Sequence, residues 1–453
     1  MTKTTNGPGL FMPATRRQLL RGAGIGALGL GLYGLGGLSA RADIPNAADW
    51  AKFSGTNLRL LLVNHWWTDA IKGRIAEFEK LTGMTVTLDV LSEDNYYQKA
   101  AVELSSGTGN YDGLMVGNLQ AGQYTAAGWL APLDDLLGKS AIIDASWYKL
   151  DDIFASGRAA GTYKDQLMAL PIATEAEVVI YRKSILEKAG VGPIRSFDDL
   201  VNAANATKTD KMAGIVGRGR RGLDVVWVWT GYFLGAGGDF FVDGKPALNT
   251  DAARQATDIY INKLLKANGP QGTANMSWLE ASTVFKEGNA ATFTDASGQL
   301  AVVLDKTTSR VVDDVGAYAW PSMGNKAPAP NYWFWLLGMP AASRNQDAAS
   351  LFIAWATSPE VSLAVGRATG SPVARESVWA DEGFKKFFPG DTAAEISKSL
   401  ASVQPNRVPY SDPKFSQVVD AISVQIVNVL TGSTDVDAGM AAADAAVTRV
   451  MGG

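Results

Sequence analysis

Flat aromatic rings and carboxylates are the side chains that hold an uncharged molecule bearing many hydroxyls, and this chain carries notable examples of both. Thirteen tryptophans occur in 453 residues, among them Trp66 and Trp67 beside His65, the pair Trp227 and Trp229, and the pair Trp333 and Trp335. An indole face packs against the C–H face of a sugar ring and leaves the hydroxyls to polar neighbours. A carboxylate such as Glu175 or Asp295 accepts from hydroxyls more strongly than a neutral group does, and one carboxylate can chelate two hydroxyls on adjacent carbons. The same two acids offer a second chemistry. Glycoside hydrolysis needs two carboxyl groups about 5 Å apart for retention or about 6.5–9.5 Å apart for inversion. Each tryptophan also has core packing as its plain alternative. A third chemistry sits at Gly217-Arg218-Gly219-Arg220-Arg221-Gly222. There, three guanidinium groups can grip an acidic, phosphorylated or sulfonated sugar, or can face solvent or a docking partner.

Composition narrows these choices. The absence of cysteine excludes disulfides, thiolate metal sites and iron–sulfur clusters. His65 is the only histidine, which argues against most metal centres and Ser-His triads. No metal site and no cofactor are expected.

The first 42 residues read as an address rather than structure. Arg16-Arg17 precedes an uncharged, glycine-rich run over 22–40 and an Ala40-Arg41-Ala42 cleavage site, which resembles a twin-arginine export signal. A membrane anchor is the alternative, but the glycines dilute a run already short of the ~20 apolar residues that a span needs. Two accidental G-x-G-x-x-G matches, from Gly24 and from Gly29, follow no strand and are rejected. Loss of the leader removes Lys3, Arg16, Arg17, Arg21 and Arg41, which leaves 36 bases against 45 acids, a net −9. An acidic surface argues against nucleic acid or anionic membrane as a partner.

The elements that must position these side chains alternate strand and helix. Strands are expected at 58–63, 84–91, 113–116, 178–181, 290–294, 315–319 and 333–337. Helices are expected after the first strand, with Ile71, Ile75 and Phe78 on one face, and at 96–104, 183–189, 196–204 behind a Ser196 cap, 251–267 and 278–287. A helical tail follows over 348–356, 359–368, 415–430 and 436–450. This alternation implies doubly wound α/β sheets, which place ligands at the carboxyl ends of their strands. Trp333 and Trp335, one strand alternation apart, point to the same side.

Three segments carry a resemblance: Leu170-Pro171-Ile172-Ala173-Thr174-Glu175-Ala176-Glu177, Gly338-Met339-Pro340-Ala341-Ala342-Ser343, and Gly370-Ser371-Pro372-Val373-Ala374-Arg375. In order and spacing they resemble, in turn, the first interlobe crossing, the strand, short loop and helix start ahead of the C-terminal helices, and the third crossing of the family 1 extracellular solute-binding proteins, the maltose-binding-like group of ABC importers. The resemblance implies a two-lobe α/β periplasmic binding protein fold of type II, each lobe a mostly parallel sheet flanked by helices, with a hinged cleft between. Lobe one would take 43–173 and 337–380, and lobe two 174–336 and 381–453.

It further implies a monomeric periplasmic carrier, not an enzyme, that delivers its solute to the transmembrane subunits of an ABC permease. Thr174 and Glu175 would contact ligand in the first crossing, Trp227 and Trp229 in a lobe-two loop, and Trp333 and Trp335 at the second crossing. His65 and Trp66 would do so after the first strand, and Asp112, Asn118 and Gln120 around the third, while Asp295 ends a lobe-two strand. Glu93 either contacts ligand or caps the next helix, and Asp94 is expected to cap it. Where maltose-binding relatives place a stacking tryptophan, this chain has Gly298. That departure implies a mono- or disaccharide or a polyol rather than a long maltodextrin, with a polyamine, an acidic sugar derivative or hydrolysis as the alternatives.

Overall fold

The computed structural model describes residues 47–133 and 143–452, and the leader lies outside them. Eight strands form one sheet: β1 (Asn57–Val63), β2 (Thr85–Leu91), β3 (Gly113–Gly117), β4 (Ala169–Arg182), β5 (Ala213–Val216), β6 (Ala290–Ala296), β7 (Val315–Ala319) and β8 (Tyr332–Gly338). Their order is β2-β1-β3-β8-β4-β6-β5, with β7 also paired to β4. The long strand β4 joins two halves. Its residues 169–176 pair with β8, and its residues 177–182 pair with β6 and β7.

In the first half β1 runs parallel to β2 and β3, and only β8 is antiparallel. The second half is mixed rather than mostly parallel, because β6 and β7 both run antiparallel to β4 and only β5 runs with β6. The crossing strand enters the second half in the reverse sense, and its neighbours there must answer it.

The helices that serve the site are α1 (Trp66–Lys72), α2 (Ile75–Thr82), α3 (Glu93–Ser106), α4 (Leu223–Gly235), α5 (Trp278–Lys286) and α6 (Gln299–Val303). The single helix expected after β1 is two, since Gly73 caps the end of α1 and Arg74 opens α2. Ile71 and Phe78 are buried as their spacing predicts. Helix α5 starts where Ser277 and Glu280 close a capping box, and Ser196 with Asp199 makes another before the helix Phe197–Thr207. The pattern over 251–267 is an α-helix, Asp251–Thr257, that continues as a π-helix, Asp258–Lys266.

In the tail, the helices Glu376–Ala380 and Glu382–Lys385 pack on Pro359–Thr369, which itself packs on α1 in the first half. The next helix, Thr392–Ala401, packs on β7 in the second half. The chain therefore passes between halves three times: within β4, ahead of β8, and between 385 and 392. Helix Phe415–Leu430 then packs on α4, backed by Val436–Gly452. Each half is thus built from separated stretches of sequence around a shared seam.

Candidate functional site

The carboxyl end of β1 delivers His65 and Trp66 to a cavity of about 560 Å³ lined by both halves. From the first half come His65, Trp66, Glu93, Trp333 and Trp335; from the second come Arg218, Trp227, Trp278 and Gln299, with Glu175 on the crossing strand. Alternation along β4 turns Glu175 into the cavity, in register with Trp333 on β8. Thr174, one residue earlier on the strand, does not line the cavity; it is buried, and its N–H donates to Pro372 O at 2.8 Å. Trp333 and Trp335 line the same cavity, as their spacing predicts, and Trp335 lies 5.6 Å from the His65 ring and stacks on Tyr97. Five indoles and the His65 ring make much of the walls, and Asp69, Glu93, Arg218, Lys286 and Asp305 line them as well.

His65 is the N-cap of α1, and its Nδ1 accepts from the Trp67 N–H at 3.3 Å. Burial lowers its pKa to about 3, so the ring is neutral. With Nδ1 accepting, its proton sits on Nε2, which is left to donate.

Glu175 is pushed up to about 8, chiefly by burial, against the pull of the Arg218 charge. A carboxyl that stays largely protonated at neutral pH can donate as well as accept. The Trp66 indole N–H faces it. Gly298 explains how the acid fits: a Cβ there would lie 2.1 Å from Glu175 Oε1 and 3.4 Å from Trp66 Nε1. The carboxyl group takes the room that any side chain at position 298 would need.

Asp295 is not at the end of a strand but inside β6, fully buried. Both of its oxygens are held by Arg218, through Nε at 2.8 Å and through Nη2. It does not line the cavity and acts through Arg218. The hydrolytic pairing of Glu175 with Asp295 therefore loses its second carboxylate. Arg218 lies 4.6 Å from the Trp227 ring, so the cation braces the face of the cavity indole. Burial opposes its charge, but Asp295 outweighs burial and holds the guanidinium charged.

The other two arginines of that loop are also engaged. Arg220 binds Asp224 at 2.7 Å and reaches across to Asp94 at 3.1 Å, and Arg221 binds Asp420 at 3.1 Å. The three form ion pairs rather than an open anion grip. Asp94 does not cap α3, because its carboxylate bonds Arg220 instead. Glu93 lines the cavity and accepts from Trp278 Nε1 at 2.8 Å and from the Tyr97 hydroxyl at 3.1 Å. Burial raises its pKa, and the bond from Trp278 opposes the rise. Trp278–Glu93 and Arg220–Asp94 both join the second half to the first across the mouth of the cavity.

Besides Thr174 and Asp295, four more expected contacts lie elsewhere. The Trp227–Trp229 segment is a helix, α4, not a loop, and two residues along a helix is a turn of about 200°. Trp227 therefore lines the cavity while Trp229 faces away, stacked on Phe233 with its Nε1 donating to Thr257 Oγ1 at 2.9 Å. Asp112 stands at the amino end of β3, the wrong end for a ligand. Its carboxylate accepts from Arg59 N at 3.0 Å, Ser343 Oγ at 2.7 Å and Asn345 Nδ2 at 3.2 Å. Asn118 is buried and lines a separate cavity of about 300 Å³. Gln120 does not line the main cavity either; its Oε1 lies beside Gly117, next to Trp333.

Among the lining residues, Trp278 and Gln299 were not expected. Trp278 reads in sequence only as the first residue of an expected helix, and Gln299 has no marked neighbour. Trp227 Nε1 and Gln299 Oε1 are buried in the cavity wall with no partner among the described residues. Buried polar atoms of this kind are as a rule hydrogen-bonded, which marks them as groups for a ligand or water. The arrangement suits a small hydroxylated molecule: broad apolar faces, a neutral imidazole donor, a largely neutral carboxyl and two free polar atoms.

Comparison with known proteins agrees with this geometry. The family model described as bacterial extracellular solute-binding protein matches residues 64–362. The chain is 28% identical over 408 residues to the erythritol/L-threitol-binding protein of Mycolicibacterium smegmatis, spanning 84% of this chain and 85% of that one. It is 29% identical over 384 residues to the mannitol-binding protein of Pseudomonas aeruginosa, spanning 80% and 85%. A crystal structure of an ABC transporter solute-binding protein from Agrobacterium vitis S4 with bound D-mannitol superposes with a TM-score of 0.78 at 26% identity, covering 88% of this chain and 99% of that one.

Proposed function

The chain belongs to the bacterial extracellular solute-binding proteins, and from that premise we propose that it is the periplasmic substrate-binding component of an ABC importer, taking a mono- or disaccharide or a polyol. It shares the type II binding-protein fold. The solute is held between the two lobes and handed to the permease without making or breaking a bond, by a monomer exported through the twin-arginine route.

We draw the lobe boundaries where β4 changes partner, at 176/177, where β8 begins, and between 385 and 392. Three of the expected boundaries, at 173/174, 336/337 and 380/381, thus move by a few residues.

The observation that carries the reading is Glu175: a buried carboxyl, made room for by Gly298 beside the Trp66 indole, in a cavity whose lining residues Trp227 and Gln299 carry polar atoms with no partner among the described residues. Relatives named for binding erythritol, L-threitol and mannitol favour a polyol within that class. An anionic sugar is disfavoured, since Arg218, Arg220 and Arg221 are each paired with an acid. Asp69, Glu93, Glu175 and Asp305 line the cavity beside Arg218 and Lys286, so a polyamine is the second reading, and spermidine is included in the test for that reason.

Thermal melting of the mature protein tests this directly. A ligand at about 100 times its Kd adds ~2.7 kcal/mol, a rise of a few degrees in a protein of this size. Erythritol, ribitol, D-mannitol, maltose and spermidine form the panel, and at least one polyol or small sugar is expected to raise Tm. Trp227→Ala is expected to abolish that rise and to lower the ligand-free Tm, since emptying a buried indole site costs ~3–5 kcal/mol. A rise with spermidine alone, or a full rise in Trp227→Ala, would overturn the reading.

A further inference from the structure

Asn331 lies at the second passage between the halves, fully buried, and it makes four hydrogen bonds to three different parts of the chain. Its N–H donates to Glu177 Oε2 at 2.7 Å, and its carbonyl accepts from Glu177 N at 3.1 Å. Glu177 is the residue of β4 at which pairing switches from β8 to β6. The side chain of Asn331 works in the other two directions. Nδ2 donates to Trp227 O at 2.8 Å, and Oδ1 accepts from the Tyr410 hydroxyl at 3.0 Å.

These partners reach both aromatic walls of the cleft. Trp227 is an indole of the second half, and Trp333, two residues beyond Asn331, is an indole of the first. The Tyr410 ring packs edge-on against Trp333 at 6.0 Å and against Tyr332 at 5.2 Å. Glu177 adds a second tie to the Trp227 helix: a Cβ at Gly231, one turn after Trp227, would fall 1.6 Å from Glu177 Oε2, so the carboxyl group lies against the α4 backbone. None of Asn331, Glu177 and Tyr410 lines the cavity.

We propose that Asn331 is a positioning residue that sets the spacing of the two aromatic walls, and thereby the length of solute that the cleft prefers. It rests on the small-sugar or polyol reading above. An indole stacks well over only a few tenths of an ångström of approach, so two walls tied to one buried amide have a defined separation. Releasing the tie lets each wall settle independently, and solutes of different length then respond unequally.

Isothermal titration with erythritol and D-mannitol, on wild type, Asn331→Leu and Tyr410→Phe, tests the proposal. Asn331→Leu removes both side-chain bonds at nearly constant volume; Tyr410→Phe removes only one. The expected results are at least tenfold weaker binding of the preferred polyol by Asn331→Leu, about threefold by Tyr410→Phe, and a change of threefold or more in the ratio of the two Kd values for Asn331→Leu. A residue that only supports the fold lowers affinity, if at all, by the same factor for both, so an unchanged ratio in a folded variant overturns the proposal. If Asn331→Leu does not fold, Tyr410→Phe decides, and wild-type affinity and ratio there overturn it. A wild type silent to every polyol and small sugar sinks the solute reading and this proposal with it; a wild type that binds beside variants with an unchanged ratio sinks the proposal alone.

Discussion

Replacing Glu175 by glutamine keeps the shape of the side chain and removes its titration. In the folded protein its pKa is raised from 4.5 to about 8, mainly by burial, and unfolding returns it to its ordinary value. Between those two values the native state holds a proton that the unfolded chain releases. The contribution of this group to stability is therefore fully present below pH 4.5 and is lost as pH rises through about 8. The slope approaches ~1.4 kcal/mol per pH unit inside the window, so moving from pH 5 to pH 7.5 costs the wild type about 3 kcal/mol from this group. Urea unfolding of the ligand-free mature protein and of Glu175→Gln, at both pH values, isolates it. Glu93 and Glu177, also buried and also raised, titrate in both proteins and largely cancel in the difference. The wild type is expected to lose ~3 kcal/mol more than the variant over this range. Parallel losses, within about 0.5 kcal/mol, would show that Glu175 is ionised and that the neutral-donor account of the site is wrong. At pH 7 the variant should also bind its solute within about threefold of wild type, because an amide, like a protonated carboxyl, both donates and accepts.

Two further substitutions probe the same corner of the molecule. Gly298→Ala places a methyl group 2.1 Å from Glu175 Oε1 at a backbone φ of −61 that any residue accepts, so the strain falls on the carboxyl group. Solute affinity should fall about tenfold with ~1–3 kcal/mol lost in stability, and calorimetry showing unchanged affinity would contradict the packing described. Arg218→Leu strands Asp295, fully buried, without its cation. Denaturant unfolding should register a loss of ~3–5 kcal/mol, partly restored by Asp295→Asn in the same chain, and a loss under about 1 kcal/mol would contradict the pairing.

The strands and most helices were legible because their signals are local: apolar runs at β1, alternation at β2, and the side-chain cap at Ser196. The same local reading placed Glu175, His65, Trp66, Trp227, Trp333 and Trp335, with help from the family resemblance, where the cavity is found. It failed where a contact spans the halves or where element type decides direction. Trp229 shares a wall with Trp227 only if the segment is a loop, and the helix that forms there turns the second indole away. Asp112 was judged by nearness to β3 without regard to which end faces the ligand. Trp278 and Glu93 meet only after folding, across 185 residues of sequence, so no spacing rule announces their pairing. Asp295 pairs with Arg218, 77 residues away, rather than lining the cavity, and no local signal gives that pairing.

Strand β8 stands between β3 and β4, yet it is synthesised after β5, β6 and β7. Until it emerges, the first sheet has a gap in its middle, with the edges of β3 and β4 bare and apolar. The half whose strands leave the ribosome first is thus the one that must wait for the other. Such nonlocal pairing folds slowly and leaves sticky edges open in the meantime. Neither half can be completed as a separate co-translational unit, because the first lacks β8 until residue 338 is made and the second lacks its closing helices until residue 430 is made.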